Sequence, residues 1–309
     1  MVRKMEWAGR ATHLGGVPRA ATVAAAGAFA KVVTCLLNTT TVHNPETLLR
    51  LVRSRPPGRP LLTVSNHMST DLFNFYGILN EWWFGFALVW IAQSRLDDPL
   101  MWGFKGFPTM DARLARWVLA AEDICFKNTV LSYFFRLGKC IPITRGGGIY
   151  QDNMNDALDI LSDGGWLHTF PEGKVSQGNG PIRRLKWGTA SLIARAPITP
   201  TVLPIVHCGF EKVMPEKFLF GRRPPLPVCG KKIQIVIGEP IEFDLQKLAQ
   251  TAKTMGRNSL CQSKGWPTIP SHGLDEAAQR WLYTHISEKI QTMMEKLRNL
   301  GATIKNIKA

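Results

Sequence analysis

Leu61-Leu62-Thr63-Val64-Ser65-Asn66-His67-Met68-Ser69-Thr70 is a short apolar, β-favouring run that closes in Ser-Asn and delivers a histidine. The run predicts a strand whose last residues open into a cleft, with His67 at its end. Histidine is the side chain whose ordinary pKa allows it to take and return a proton near neutrality. Upstream, Arg53-Ser54-Arg55-Pro56-Pro57-Gly58-Arg59-Pro60 forms a basic, proline-rich turn into the strand. Downstream, Asp71 to Arg95 is unlike the rest of the chain. It is apolar and rich in aromatics, and Glu81 is its only charge between those two ends. Two readings stay open for it: a membrane-inserted hairpin or helix, or sequence that does not belong to the functional fold.

The remainder alternates strand and helix patterns. Lys139 to Ile143, Trp166 to Phe170, Thr201 to His207 and Ile233 to Ile237 predict strands. Ala112 to Phe126, Tyr150 to Leu161 and Lys186 to Arg195 predict helices, the second from Met154, Leu158 and Leu161 on one face. Val42 to Leu51 suggests a linker and a short helix. Residues 246–273 are polar and irregular. A final helix from about Leu274 to Leu300 has a stripe of Leu282, Ile286, Ile290, Met293, Leu297 and Leu300. Alternation of this kind predicts a layered α/β fold. Val17 to Leu37 is an Ala- and Val-rich stretch with Arg19 and Lys31 as its charges. It fits a helix in the membrane interface better than a spanning one, or else a buried soluble helix.

The chain has 309 residues, 45% of them hydrophobic, and a formal net charge of +15 from 38 Lys+Arg against 23 Asp+Glu. That excess favours a polyanionic partner, such as an anionic membrane surface or phosphorylated substrates. No zinc finger, RNA-binding signature or Gly-Arg tail points to nucleic acid. The six cysteines have no metal or C-x-x-C spacing and read as buried or inert thiols. A G-x-S-x-G elbow, an H-E-x-x-H pair, a Walker loop and a dinucleotide fingerprint are all missing. Three further stretches bear on chemistry. Lys139-Cys140-Ile141-Pro142-Ile143-Thr144-Arg145 ends in an arginine and is followed by three glycines, which suits a phosphate. Phe170-Pro171-Glu172-Gly173 places an acid in a tight turn after a strand. Val202-Leu203-Pro204-Ile205 is a strand broken by proline, hence an edge or a cavity wall.

In this order these stretches resemble the glycerolipid acyltransferase superfamily, with its Asn-His-x4-Asp, Pro-and-Arg strand, Phe-Pro-Glu-Gly and apolar Pro-strand motifs. Within it they resemble the tafazzin family of phospholipid–lysophospholipid transacylases. Ala121-Glu122-Asp123-Ile124-Cys125-Phe126 and Leu185-Lys186-Trp187-Gly188 add to that likeness. The resemblance implies a glycerol-3-phosphate acyltransferase-like mixed sheet flanked by helices, behind an N-terminal membrane-interfacial helix. It divides the chain into a membrane-associating segment (1–50), an acyltransferase domain (51–245, insertion 71–95), and a polar linker with C-terminal helix (246–309). It also implies a His-Asp general-base mechanism with no cofactor or metal, the acyl donor being phospholipid or acyl-CoA. Phospholipids and lysophospholipids would be the substrates, with cardiolipin acyl-chain remodelling in mitochondrial membranes as the setting.

His67 would be the base. Lys139, Arg145, Glu172 and Gly173 would bind substrate, and Val202 to Ile205 would line the acyl chain's path. One departure stands out. Asp71 follows His67 by four positions and Asp97 by 30, whereas the motif requires five. Removing 71–95 restores the spacing at Asp97. Asp97 is therefore the expected partner acid, with Asp71 as the alternative. A second reading of the whole chain is a catalytically inactive, basic membrane-binding protein.

Overall fold

The computed structural model describes residues 5–68, 97–178, 180–218, 224, 226–256 and 273–307. Asp71, the rest of the 71–95 stretch and Cys261 lie outside the described residues. The sheet has seven strands: β1 Thr39–His43, β2 Leu61–Ser65, β3 Trp117–Ala121, β4 Cys140–Ile143, β5 Trp166–Thr169, β6 Thr201–Cys208 and β7 Lys232–Ile237. Their order is β1-β7-β6-β2-β5-β3-β4. All neighbours are parallel except β6 and β7, so the sheet is mixed.

β2 sits in the middle, paired with β5 on one side and β6 on the other, and every residue in it is buried. A strand covered on both faces needs a near-continuous apolar run, which Leu61 to Val64 supplies. Side chains alternate faces with period two. Leu62, Val64, Val202 and Val206 meet the helices Asp152–Ser162, Trp187–Arg195 and Glu276–Ile307. Leu61, Leu203, Ile205, Ile233 and Ile235 meet Leu48, Val52, Trp102 and Phe210 on the other face.

Several sequence expectations change. Ala112 to Phe126 is not one helix: Trp117–Ala121 is β3, followed by the four-residue helix Glu122–Cys125. The run pairs on both sides, Val118 with Cys140 and with His168, and that ladder overrides the helix preference of its alanines. Thr39–His43 is an edge strand that runs into the start of the expected Val42 to Leu51 linker, and the short helix expected there is Pro45–Ser54. Leu245–Gly256 is helical, although the polar 246–273 stretch predicts irregular chain.

Pro204 does not mark an edge, because β6 has partners on both sides. Its carbonyl accepts from Gly238 N at 2.9 Å, at the point where β7 has ended, so the missing N–H falls where the β7 ladder stops. Val202, Leu203 and Ile205 are core residues with no exposed surface, not an acyl path. On the last helix Met294 is fully buried, while Leu300 is exposed. Cys125 and Cys140 are buried, and burial pushes the Cys140 thiol up to about 12. Cys35 and Cys229 are exposed, so burial does not account for them.

The stretch His13–Leu37 is helical and long and apolar enough to cross a membrane, with a third of its apolar window buried. One face packs closely. An added Cβ on Gly27 would lie 2.7 Å from Thr109 O, and one on Gly103 would lie 2.5 Å from Ala30 O. Lys31 Nζ donates to Phe107 O at 3.1 Å. Leu14, Val17, Val32, Leu36 and Leu37 are exposed. Gly103→Ala should therefore push backbone against backbone and cost about 1–3 kcal/mol. Thermal unfolding of the variant would read this, and an unchanged midpoint would count against the close contact.

Candidate active site

His67 stands two residues beyond the end of β2, and the sheet carries it to the edge where the parallel strands finish. Its Nδ1 donates to Asp97 Oδ2 at 2.5 Å, and the same oxygen accepts from Met68 N at 2.7 Å. Both side chains are fully buried. Sequence separation is thus no barrier: Asp97 opens the short helix Asp97–Met101 and reaches back across 30 positions. Nδ1 is engaged, so the second ring nitrogen, Nε2, is the one left for chemistry. Among the described residues it has no hydrogen-bond partner. The Phe170 ring stacks on the imidazole, centroids 4.5 Å apart and planes 26° from parallel.

Neighbouring groups hold this end of β2 in place. Asn66 Nδ2 donates to His207 O and Asn66 Oδ1 accepts from His207 N, both at 2.9 Å, which ties β2 to β6 immediately before His67. Sequence reading quoted Asn66 without assigning it this part. Glu172 Oε1 accepts from His67 N at 3.4 Å, and Oε2 accepts from Arg183 N at 3.3 Å. Burial pushes the Glu172 carboxyl up, against those two backbone donors. Gly173 has φ of +69°, a turn conformation that suits glycine. A Cβ there would lie 2.7 Å from Lys186 Nζ.

The other two expected substrate residues sit apart from His67. Lys139 is buried, with φ of +60°, and its Nζ donates to Ala115 O at 2.8 Å. Burial, then Arg19 and Arg116, lower it to about 8, and Asp111 opposes them. Arg145 is about half exposed and pairs with Asp123. It borders a cavity of about 640 Å³ that also touches Phe170, Gly173, Arg184, Lys186 and, deeper, Arg116. His67 and Asp97 are not among its walls; Phe170 and Asp98, their immediate neighbours, are. The cavity's remaining surface is mostly apolar, including Phe29, Leu119 and Trp187.

Sequence reading missed a buried polar layer behind the pair. Arg116 grips Asp98 through Nε and Nη2, with Nε to Oδ1 at 2.8 Å. His168 lies between Thr63 Oγ1 (2.8 Å from Nδ1) and Ser65 Oγ (3.2 Å from Nε2). Burial, above all, holds His168 down to about 3, with Asp98 opposing; His207 is lowered by burial as well. The unfolded chain would bind protons at these residues near the ordinary 6.5, while the folded chain refuses them. The unfolded state therefore takes up more protons as pH falls below about 6.5, and stability drops with acidification from there towards about 3. Urea midpoints measured across that window should fall with pH, and His168→Gln should flatten the slope. An identical slope in the variant would contradict the assignment.

A histidine hydrogen-bonded to an acid at the carboxyl end of a central strand fits transfer chemistry in which the substrate brings its own nucleophile. The chain belongs to the acyltransferase family. That family's profile, described as Acyltransferase, matches residues 88–208, which include Asp97, Arg116, Arg145 and Glu172 but begin after His67. Over 306 residues the chain is 56% identical to N-acylphosphatidylethanolamine synthase of Arabidopsis thaliana, covering 97% of this chain and 99% of that one. It is 36% identical over 225 residues to Tafazzin of Drosophila melanogaster, covering 72% of this chain and 51% of that one. Against Taffazin of Dictyostelium discoideum it is 37% identical over 214 residues, covering 67% and 64%. Tafazzin-type relatives are therefore among its homologues, as the sequence motifs suggested.

Proposed function

We propose that this acyltransferase moves an acyl chain from a phospholipid to the free hydroxyl of a lysophospholipid, with His67 as general base. The observation that carries the reading is the 2.5 Å contact between His67 Nδ1 and Asp97. It leaves Nε2 to take the hydroxyl proton as the oxygen attacks the acyl carbonyl. The tetrahedral intermediate then collapses, the ester bond to the donor breaks, and Nε2 returns the proton to the departing lysophospholipid oxygen. Asp97 orients the ring and stabilises the imidazolium between those two transfers. No covalent acyl-enzyme forms.

Arg145, at the cavity rim, holds the head-group phosphate, and the Glu172-Gly173 turn shapes the acceptor site. Lys139 is left out because its ammonium is committed to Ala115 O. The apolar cavity surface suits the acyl chain. The exposed apolar residues of the N-terminal helix and the net positive charge suit an anionic bilayer surface, and mitochondrial membranes are the setting that the tafazzin likeness supports. Acyl-CoA is the other donor class.

A second acceptor is favoured by the 56% identity to an N-acylphosphatidylethanolamine synthase: the amine of phosphatidylethanolamine, deprotonated by the same base and acylated by the donor lipid. The experiment supplies the purified protein with vesicles of phosphatidylcholine labelled in its acyl chains plus either lysophosphatidylglycerol or phosphatidylethanolamine. Label appearing in phosphatidylglycerol, as an alkali-labile ester, is expected with the first acceptor, and an alkali-stable amide would favour the second. Vesicle binding with no turnover of either would replace both with the inactive membrane-binding reading. A variant lacking residues 71–95, which has the family's His-x4-Asp spacing, should keep at least the parent's rate. Its inactivity would show that the stretch is required.

A further inference from the structure

Asp97 meets His67 from 30 positions away, so a short local turn cannot be what aims it. The apolar anchors nearby, Leu100 and Met101, are fully buried and hold the helical turn against the sheet. Such contacts are non-directional, and they fix where the segment lies better than which way one carboxylate points. Besides the Met68 N–H that donates to Asp97 Oδ2, the next residue makes a directional contact of its own. Arg116 donates to both oxygens of Asp98, a two-pronged arrangement that sets orientation as well as distance. Trp102 Nε1 donates to Asp98 Oδ1 at 3.1 Å, and its ring packs edge-on against Trp166 and His168 of β5. Arg116 directly precedes β3, which is laddered to β4 and β5. The two side chains are only 14% and 11% exposed, so water does little to loosen the pair.

We propose that the Asp98–Arg116 pair is the positioning device for the catalytic acid: it pins the Asp97-Asp98 peptide to the sheet so that Asp97 Oδ2 faces His67 Nδ1. Both are positioning residues and act through Asp97. The inference rests on the His67–Asp97 reading above. It explains how the acid is delivered whatever length of chain precedes it, since every contact in the clamp lies downstream of the 71–95 stretch.

The test measures transacylation by the full-length protein in vesicles. Arg116→Gln and Asp98→Asn are made on the parent and on the Asp97→Asn background. Each should lower kcat about 10- to 100-fold, the scale of a small misplacement of a reacting group, with KM for lysophospholipid within about twofold. On the Asp97→Asn background the added loss should vanish, because nothing remains to be aimed. Joining Arg116→Gln with Asp98→Asn, a neutral pair that can still hydrogen-bond, should recover part of the rate. A folded Arg116→Gln protein with parental kcat, or a full additional loss on the Asp97→Asn background, would overturn the proposal. Should Arg116→Gln fail to fold by circular dichroism, Arg116→Lys, which keeps the charge and loses the fork, is held to the same two criteria. If His67→Ala retains activity, the catalytic reading itself fails. If His67→Ala and Asp97→Asn are impaired while the Arg116 variants are not, only the clamp fails.

Discussion

His67→Ala should lower acyl transfer about 10²- to 10⁴-fold, the usual contribution of a positioned general base. The effect should fall on kcat, since Nε2 acts on the proton only as the new ester bond forms. Vesicle binding should be unchanged, because His67 is wholly buried and is no part of the exposed apolar surface of the N-terminal helix. The imidazole is wholly buried and stacked on Phe170, so truncation to alanine also leaves a void. His67→Gln, closer in size, separates the two effects: lost turnover with a near-parental melting temperature assigns the loss to the proton and not to packing. Activity equal to the parent in both variants would remove the general base.

Asp97→Asn is the second large effect. An asparagine in place of the carboxylate can still contact Nδ1, but it presents either an amide donor or a neutral acceptor. The ring then loses the partner that sets its tautomer and balances its positive charge in mid-reaction. In a comparable His-Asp arrangement that change costs up to about 10⁴-fold in kcat. Asp71→Asn provides the contrast, since Asp71 is the acid nearer in sequence. The 2.5 Å contact to Asp97 leads us to expect little change there. A large loss in Asp71→Asn with a small one in Asp97→Asn would reverse the assignment.

The motif residues were legible because their chemistry is local. A β-favouring run before His67, a glycine where φ is +69°, and an acid in the turn after β5 can all be read from neighbours in the chain. The strand at Trp117–Ala121 was not legible, because five apolar residues satisfy a helix and a strand equally until β4 and β5 supply ladders on both sides. Lys139 looked like a partner for Arg145 six positions on. The left-handed backbone at Lys139 helps turn it away, to Ala115 O. Arg116 gave no signal at all, being one arginine among 38 Lys+Arg. Its meaning depends on Asp98, 18 positions earlier.

By itself, then, the order of residues determined the class of fold and the family and singled out His67 as the candidate base, since each depends on periodicity or on side chains adjacent in the chain. The motif spacing ranked Asp97 ahead of Asp71, and tertiary structure alone showed Asp97 reaching His67. A carboxylate's distance from an imidazole is set by how strands and a helical turn pack, so the 30 positions between the two residues close to a 2.5 Å contact only in the folded chain.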